Sequence, residues 1–205
     1  MTPNLGIDTT VDVTPYLDCL RGSGVTFVCR YVNPIWVSRG LTREEGLSIS
    51  NAGLSVVALY EWGAASYSAS YFTRHQGQLD AERAFARAQR VGVPGGKPIY
   101  FAVDMDVGQK DLQAVDDYFD GVGQELRALG RSGPAYAVGA YGGYLTVAHL
   151  RATGRAGYVF QTYAWSQGRI VQDVNLYQEQ NDVRICGFPN DRDISHGDGG
   201  GFKVE

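Results

Sequence analysis

No stretch of the sequence approaches the ~18 consecutive apolar residues of a membrane-spanning helix. The opening Met1-Thr2-Pro3-Asn4-Leu5 lacks the charged-then-apolar pattern of a secretory signal. Membrane insertion is not expected. The compartment stays open between retention, another export route and a start at a mature domain. An excess of basic charge is also missing. The net charge of −4 and pI of about 5.4 argue against nucleic acid as a partner, because a phosphate-backbone binder carries a basic surface. Cysteine is scarce. Cys19, Cys29 and Cys186 are odd in number and far apart, so they form neither a CxxC metal pattern nor a disulfide framework, and buried free thiols are expected. His75, His149 and His196 are scattered. There is no HExxH, GxSxG, GxxxxGK[ST], or GxGxxG after a strand. No cofactor and no resident metal are expected.

Carboxylates at the ends of strand-like segments are what the sequence does have. The clearest case is Lys97 to Asp106, a run of strand-forming residues ending in Asp104-Met105-Asp106. Alternation puts Ile99, Phe101 and Val103 on one face and Tyr100, Ala102, Asp104 and Asp106 on the other. An acidic pair at the end of a buried strand is costly unless something satisfies or uses it. Further strands are predicted at 5–9 (ending on Asp8), 25–32, 55–62 (ending on Glu61), 135–141, 158–165 and 174–179, with a short final one within 184–194. Helices are predicted at 12–20, from Leu41 to Gly53, at 79–91, 111–129 and 145–152. Thr42 with Glu45 reads as a capping box, and Asp80 as a first-turn carboxylate facing the helix dipole.

Strands alternating with helices point to βαβ units and a parallel sheet. The predicted fold is a (β/α)8 barrel, its outer helix layer thinned towards the C-terminus, where the gaps between strands shrink. One domain is expected over residues 1–205, with a core from about 5 to 195 and a Gly-rich tail over 197–205, whose stretch from Gly197 to Gly201 has little reason to order. The protein is expected to be a monomer.

In such a barrel the C-terminal strand ends converge on one mouth, where active sites are built. Asp8, Glu61, Asp104, Asp106, Gln178 and Asp193 are placed there. Like charges sharing a site push one pKa up and keep others down, separating a proton donor from an ionised partner, as glycosidic cleavage requires. Tyr60, Trp62, Tyr141, Gln161, Tyr163 and Trp165 supply aromatic and amide groups for binding sugar. Arg30 is either an ion-pair partner that makes the acids tolerable or a substrate contact, and both readings stand. A carbohydrate is the expected partner. A metal-dependent phosphodiesterase built on Asp104, Asp106 and Glu61 is the chemical rival.

The order of motifs adds a family resemblance. Gly6-Ile7-Asp8, Arg30-Tyr31, Leu41-Thr42-x-x-Glu45, Tyr60-Glu61, Asp80-Ala81, Gly92-x-Pro94, Ile99-Tyr100-Phe101-Ala102-Val103-Asp104-x-Asp106 and Trp165-Ser166 follow one another. The whole, over about residues 5–195, resembles the glycoside-hydrolase-like family also described as domain of unknown function 1906. Its members are mostly actinobacterial and often exported to the cell envelope. It is similar in turn to the family 25 lysozyme-like muramidases. The resemblance implies a barrel acting on a cell-wall glycan such as peptidoglycan, in an exported, envelope or phage-associated setting. Asp8 matches the first-strand Asp, Asp104 the first acid of the middle motif, and Asp193 the last. Asp106 stands where the muramidases carry a Glu as general acid. The missing methylene withdraws the carboxyl by about 1–1.5 Å, a misplacement that can cost about a hundredfold in rate. The implied function is a glycosidase with Asp106 or Glu61 as acid, or a barrel that binds sugar without cutting it.

Overall fold

The computed structural model describes residues 4–32, 40–62 and 67–205. Strands β1 (Asn4–Thr9), β2 (Val25–Tyr31), β3 (Ser55–Tyr60), β4 (Pro98–Ala102), β5 (Ala137–Gly142), β6 (Tyr158–Thr162), β7 (Leu176–Val183) and β8 (Asn190–Ser195) close into one barrel in sequence order. Helices α1 (Leu17–Gly22), α2 (Arg43–Asn51), α3 (Arg74–Val91), α4 (Leu112–Leu129) and α5 (Tyr144–Ala152) follow the first five strands in turn. Among the described residues no α-helix lies between β6 and β7 or between β7 and β8.

Strands β1 to β7 pair in parallel, but β8 runs antiparallel to both β7 and β1. This corrects the expectation that all strands finish at the same mouth. Only residues 184–189 join β7 to β8. A crossover to a parallel strand needs a dozen residues or more, whereas a short link makes a hairpin. The first residues of β8, not its last, therefore reach the mouth.

Period-two alternation divides the core. Phe27, Cys29, Val57, Leu59, Tyr100, Phe160 and Leu176 fill the barrel interior. Ile7, Val28, Val56, Ala58, Ile99, Phe101 and Val159 face the helices. Gly6 is needed at the crowded centre, since a Cβ there would enter the Phe27 ring. Helices α3 and α4 pack backbone to backbone: a Cβ on Gly77 would meet the Tyr118 carbonyl, and one on Gly121 the Arg74 carbonyl. Helix α3 begins at Arg74, capped by Thr73 Oγ1, which accepts from Gln76 N at 3.1 Å. Asp80 is therefore a mid-helix residue, not the first-turn residue predicted.

Two other expectations are overturned. Cys19 and Cys186 form a disulfide. Because β8 closes beside β1, the helix after β1 and the link before β8 are neighbours, although 167 positions separate the cysteines. Only Cys29 is a buried free thiol. The Gly-rich tail is ordered. Phe202 forms an antiparallel bridge with Val56, both backbone hydrogen bonds being 2.9 Å, and Phe202 and Val204 are buried. Tyr100 Oη donates to the Gly199 carbonyl at 3.0 Å, tying the tail to the barrel interior.

Candidate active site

At the C-terminal ends of β1 to β7 a cleft of about 160 Å³ is lined by Asp8, Tyr31, Leu59, Glu61, Ala102, Asp104, Tyr141, Gln178, Asn181 and Asp191. Inward-facing residues of the strands line it. Asp8 is the last but one residue of β1, Tyr31 ends β2, and Glu61 and Asp104 follow β3 and β4. Strand order sets β7 opposite β3 and β8 opposite β4, with β1 next to β8. Asp8, Asp191 and Gln178 therefore form one wall, with Glu61 and Asp104 facing them.

Gln178 knits the first wall together. Its Nε2 donates to Asp8 Oδ2 at 2.8 Å and to Asp191 Oδ2 at 3.0 Å, and its Oε1 accepts from Tyr141 Oη at 2.8 Å. The Asp182 backbone N donates to Asp191 Oδ1 at 2.7 Å. Register puts Asp191 opposite Asp8, and Asp193 one inward position deeper, opposite Gly6. Asp193 is fully buried, and among the described residues neither of its carboxyl oxygens has a partner at hydrogen-bond geometry.

Depth sets the electrostatics. Burial, then the Asp191 charge, pushes Asp8 from 3.8 up to about 7, although the Gln178 hydrogen bond pulls the other way. Burial, then Asp8 and Asp191, drives Asp193 well above the carboxylate range. Asp104 is raised by burial and by Asp191 across the cleft. Asp191 is raised chiefly by burial, against the Asp182 N–H. Burial and the Asp8 charge keep the Tyr31 and Tyr141 phenols neutral. The cleft thus offers a carboxyl that holds a proton near neutral pH beside others that are more readily ionised, the arrangement general acid catalysis needs.

Of the residues singled out in the sequence, Asp8, Glu61, Asp104, Tyr141 and Gln178 meet in this cleft. Asp193 lies beneath it and does not line it. Asp106 is exposed, beyond the end of β4 and outside the lining.

Arg30 does not enter the cleft. It is 1% exposed on the outward face of β2, with Nε and Nη2 donating to the Glu45 carboxylate at 2.7 and 2.9 Å and Nη1 to the Thr9 carbonyl at 2.7 Å. Glu45 starts its helix as predicted, and Thr42 Oγ1 accepts from its backbone N at 3.1 Å. Its side chain belongs to that buried ion pair. Tyr60 also faces outward, donating to Asp80 at 3.1 Å. Gln161 points away from the mouth. It holds the segment after β6, donating to Ser166 Oγ and the Arg169 carbonyl and accepting from Val171 N. Trp62, Tyr163 and Trp165 are 43%, 44% and 37% exposed, on segments that follow β3 and β6 at the mouth end. Strand β6 ends at Thr162, so Tyr163 and Trp165 lie in the turn beyond it rather than on a strand face.

Sequence reasoning missed Asp191, Asn181 and the inward aim of Tyr31. The signal for Asp191 was the shortness of the β7–β8 link, which reverses β8 and exchanges the depths of Asp191 and Asp193. Among the described residues no group of three His, Cys, Asp or Glu side chains is placed to hold a metal ion. The phosphodiesterase reading finds no site among them.

YbfG, an uncharacterized protein of Bacillus subtilis, is 34% identical over 132 residues, 60% of this chain and 18% of its own length. The chain thus spans less than a fifth of that relative. The Tat-secreted protein Rv2525c of Mycobacterium tuberculosis, in complex with HEPES, superposes with a TM-score of 0.81 at 19% identity, covering 97% of this chain and 98% of that one. The modular autolysin LytC of Streptococcus pneumoniae, in complex with a synthetic peptidoglycan ligand, gives a TM-score of 0.59 at 11% identity, over 94% of this chain and 46% of that one. The last two likenesses speak to the fold alone. A sequence profile of the Rv2525c-like, glycoside hydrolase-like domain matches residues 18–198, most of the chain, and the protein belongs to that family.

Proposed function

We propose that the cleft hydrolyses a glycosidic bond in a bacterial cell-envelope polysaccharide, peptidoglycan or a related glycan. One observation carries this reading: two walls of carboxyl groups face each other across one cleft, and one of them, Asp8, is raised to about 7. Cleavage needs a proton for the leaving oxygen and a facing carboxylate for the positive character at the sugar carbon. Asp8 fits the donor, with Asp191 and Gln178 holding it in place. Glu61 fits the facing carboxylate, which stabilises that carbon or activates water, and Asp104 orients the sugar beside it. Asp106, outside the cleft, has no part in this scheme, and Asp193, beneath the cleft, does not meet the sugar.

Trp62, Tyr163 and Trp165 offer exposed rings for stacking on sugar faces. The likeness to an autolysin that holds a peptidoglycan ligand supports the choice of glycan. A Tat-secreted structural relative and the Cys19–Cys186 disulfide support action outside the cytoplasm. No described helix is long and apolar enough to cross a membrane. The placement of Asp106 favours one second reading, a barrel that binds the glycan and does not cut it.

Reducing-end release from purified peptidoglycan and actinobacterial wall polysaccharide separates the two. Wild type should release ends, while Asp8→Asn and Glu61→Gln should lose at least about a hundredfold in rate. Wild type that sediments with the wall yet releases nothing would leave the binding barrel.

A further inference from the structure

We infer that Asp80, buried in the helix layer behind the cleft, is the positioning residue that fixes Glu61. This rests on the reading of Glu61 as a working carboxylate of the cleft. Asp80 is 0% exposed. Its Oδ1 accepts from Tyr60 Oη at 3.1 Å and Gln76 Nε2 at 2.8 Å, and its Oδ2 from Tyr71 Oη at 2.6 Å and Tyr118 Oη at 2.9 Å. Arg83 Nη1 stands 3.5 Å from the same Oδ1. A carboxylate met by several donors and a cation tolerates burial, and it fixes each group that donates to it.

What it fixes explains the arrangement. Tyr60 is the last residue of β3 and directly precedes Glu61. Trp62 directly follows Glu61 and lies under the Arg83 guanidinium, 4.6 Å from the ring centroid. Both chain neighbours of Glu61 are therefore tied to Asp80, one by a hydrogen bond and the other through Arg83. Tyr71 ties the far end of the same segment to the same carboxylate. Alternation makes this geometry possible. Tyr60 faces the helices, so Glu61 faces the cleft, and an anchor on the outer face sets the aim of the inner one. The fourth donor, Tyr118, comes from α4 and touches Asp80 without belonging to the segment that carries Glu61.

That difference supplies the control. Tyr60→Phe and Tyr118→Phe each delete one phenol that donates to Asp80, both from buried side chains. Two measurements are made on each full-length variant: kcat and KM on the cleaved glycan, and amide hydrogen exchange at residues 61–62 and 67–73. Both variants should unfold a few degrees earlier, as expected for one lost buried hydrogen bond. Tyr60→Phe should lower kcat by about tenfold or more with KM within about twofold, and should speed exchange in the segment. Tyr118→Phe should do neither. Equal kcat and equal exchange in the two variants would overturn the inference and reduce Asp80 to a packing residue. If wild type cleaves no glycan, the proposed function fails by itself and exchange alone decides. Faster exchange confined to Tyr60→Phe upholds the positioning role, and equal exchange in the two variants rejects it.

Discussion

Replacing Asp8 with Asn should stabilise the protein at neutral pH and leave it nearly unchanged in acid. Asp8 is 5% exposed and its carboxyl is raised from 3.8 to about 7. A carboxyl raised in the folded state binds its proton more tightly there than in the unfolded chain. Below about pH 4 both states hold the proton, and there is no penalty. Between about pH 4 and 7 the folded protein keeps a proton that the unfolded chain has released, so stability falls as pH rises. Above about 7 the loss is complete. A shift of this size corresponds to about 4 kcal/mol. Because Asp191 and Asp193 contribute to the same titration, the figure belongs to the group. Asn mimics the protonated acid at every pH and can still accept from Gln178. The gap between variant and wild type should therefore grow from about zero at pH 4 to roughly 3–4 kcal/mol at pH 8. For a chain of this size that is about 10 °C in Tm. Thermal unfolding of both proteins from pH 4 to 8 measures it. A difference that does not change with pH, or an Asp8→Asn protein less stable than wild type at pH 8, would refute the argument.

Elsewhere the expected effects run the other way. Glu45→Ala strands the buried Arg30 charge and should cost about 3–5 kcal/mol in denaturant unfolding. Cys19→Ser with Cys186→Ser frees a loop of 167 positions and should cost about 3–5 kcal/mol, and reductant should destabilise wild type but not the variant. Phe202→Ala should cost about 3–4 kcal/mol by opening the packing beside β3, which a lower Tm would report; no change would mean that the tail is not held there.

Alternation along the strands made much of this site legible. Placing Val57, Leu59 and Glu61 on one face of β3 already put Tyr60 on the other. The same rule on β2, with Cys29 and Tyr31 inward, sends Arg30 outward to Glu45. Both residues were expected at the mouth because they stand near strand ends, but the face a residue occupies decides more than its distance from the end. Asp191 was legible only through topology, from a link too short for a crossover. The disulfide was not legible at all, since no local pattern joins positions so far apart. The tail misled by composition: its glycines suggested disorder, while Phe202 and Val204 supply the burial that orders it.

The reversal of β8 matters because depth orders the acids. Had β8 run parallel, Asp193 would stand at the rim and Asp191 below it. Running antiparallel, β8 places Asp191 beside Asp8, where its charge helps raise Asp8, and sinks Asp193 to full burial. A carboxyl in that position stays protonated, because ionising it would leave an unpaired charge in the barrel interior. Around the cleft, burial is complete at Asp193, nearly so at Asp8 and partial at Glu61 and Asp104. Proton affinity follows that gradient on the first wall, from Asp193 to Asp8. The same side chains spread over an open surface would all titrate near 4. Asp193→Asn, which keeps the shape and removes the buried acid, should leave Asp8 still raised by burial and by Asp191. Asp191→Asn should lower it. A pH profile that shifts in the first variant and not in the second would show that the deep acid, rather than the rim pair, sets the working protonation of the cleft.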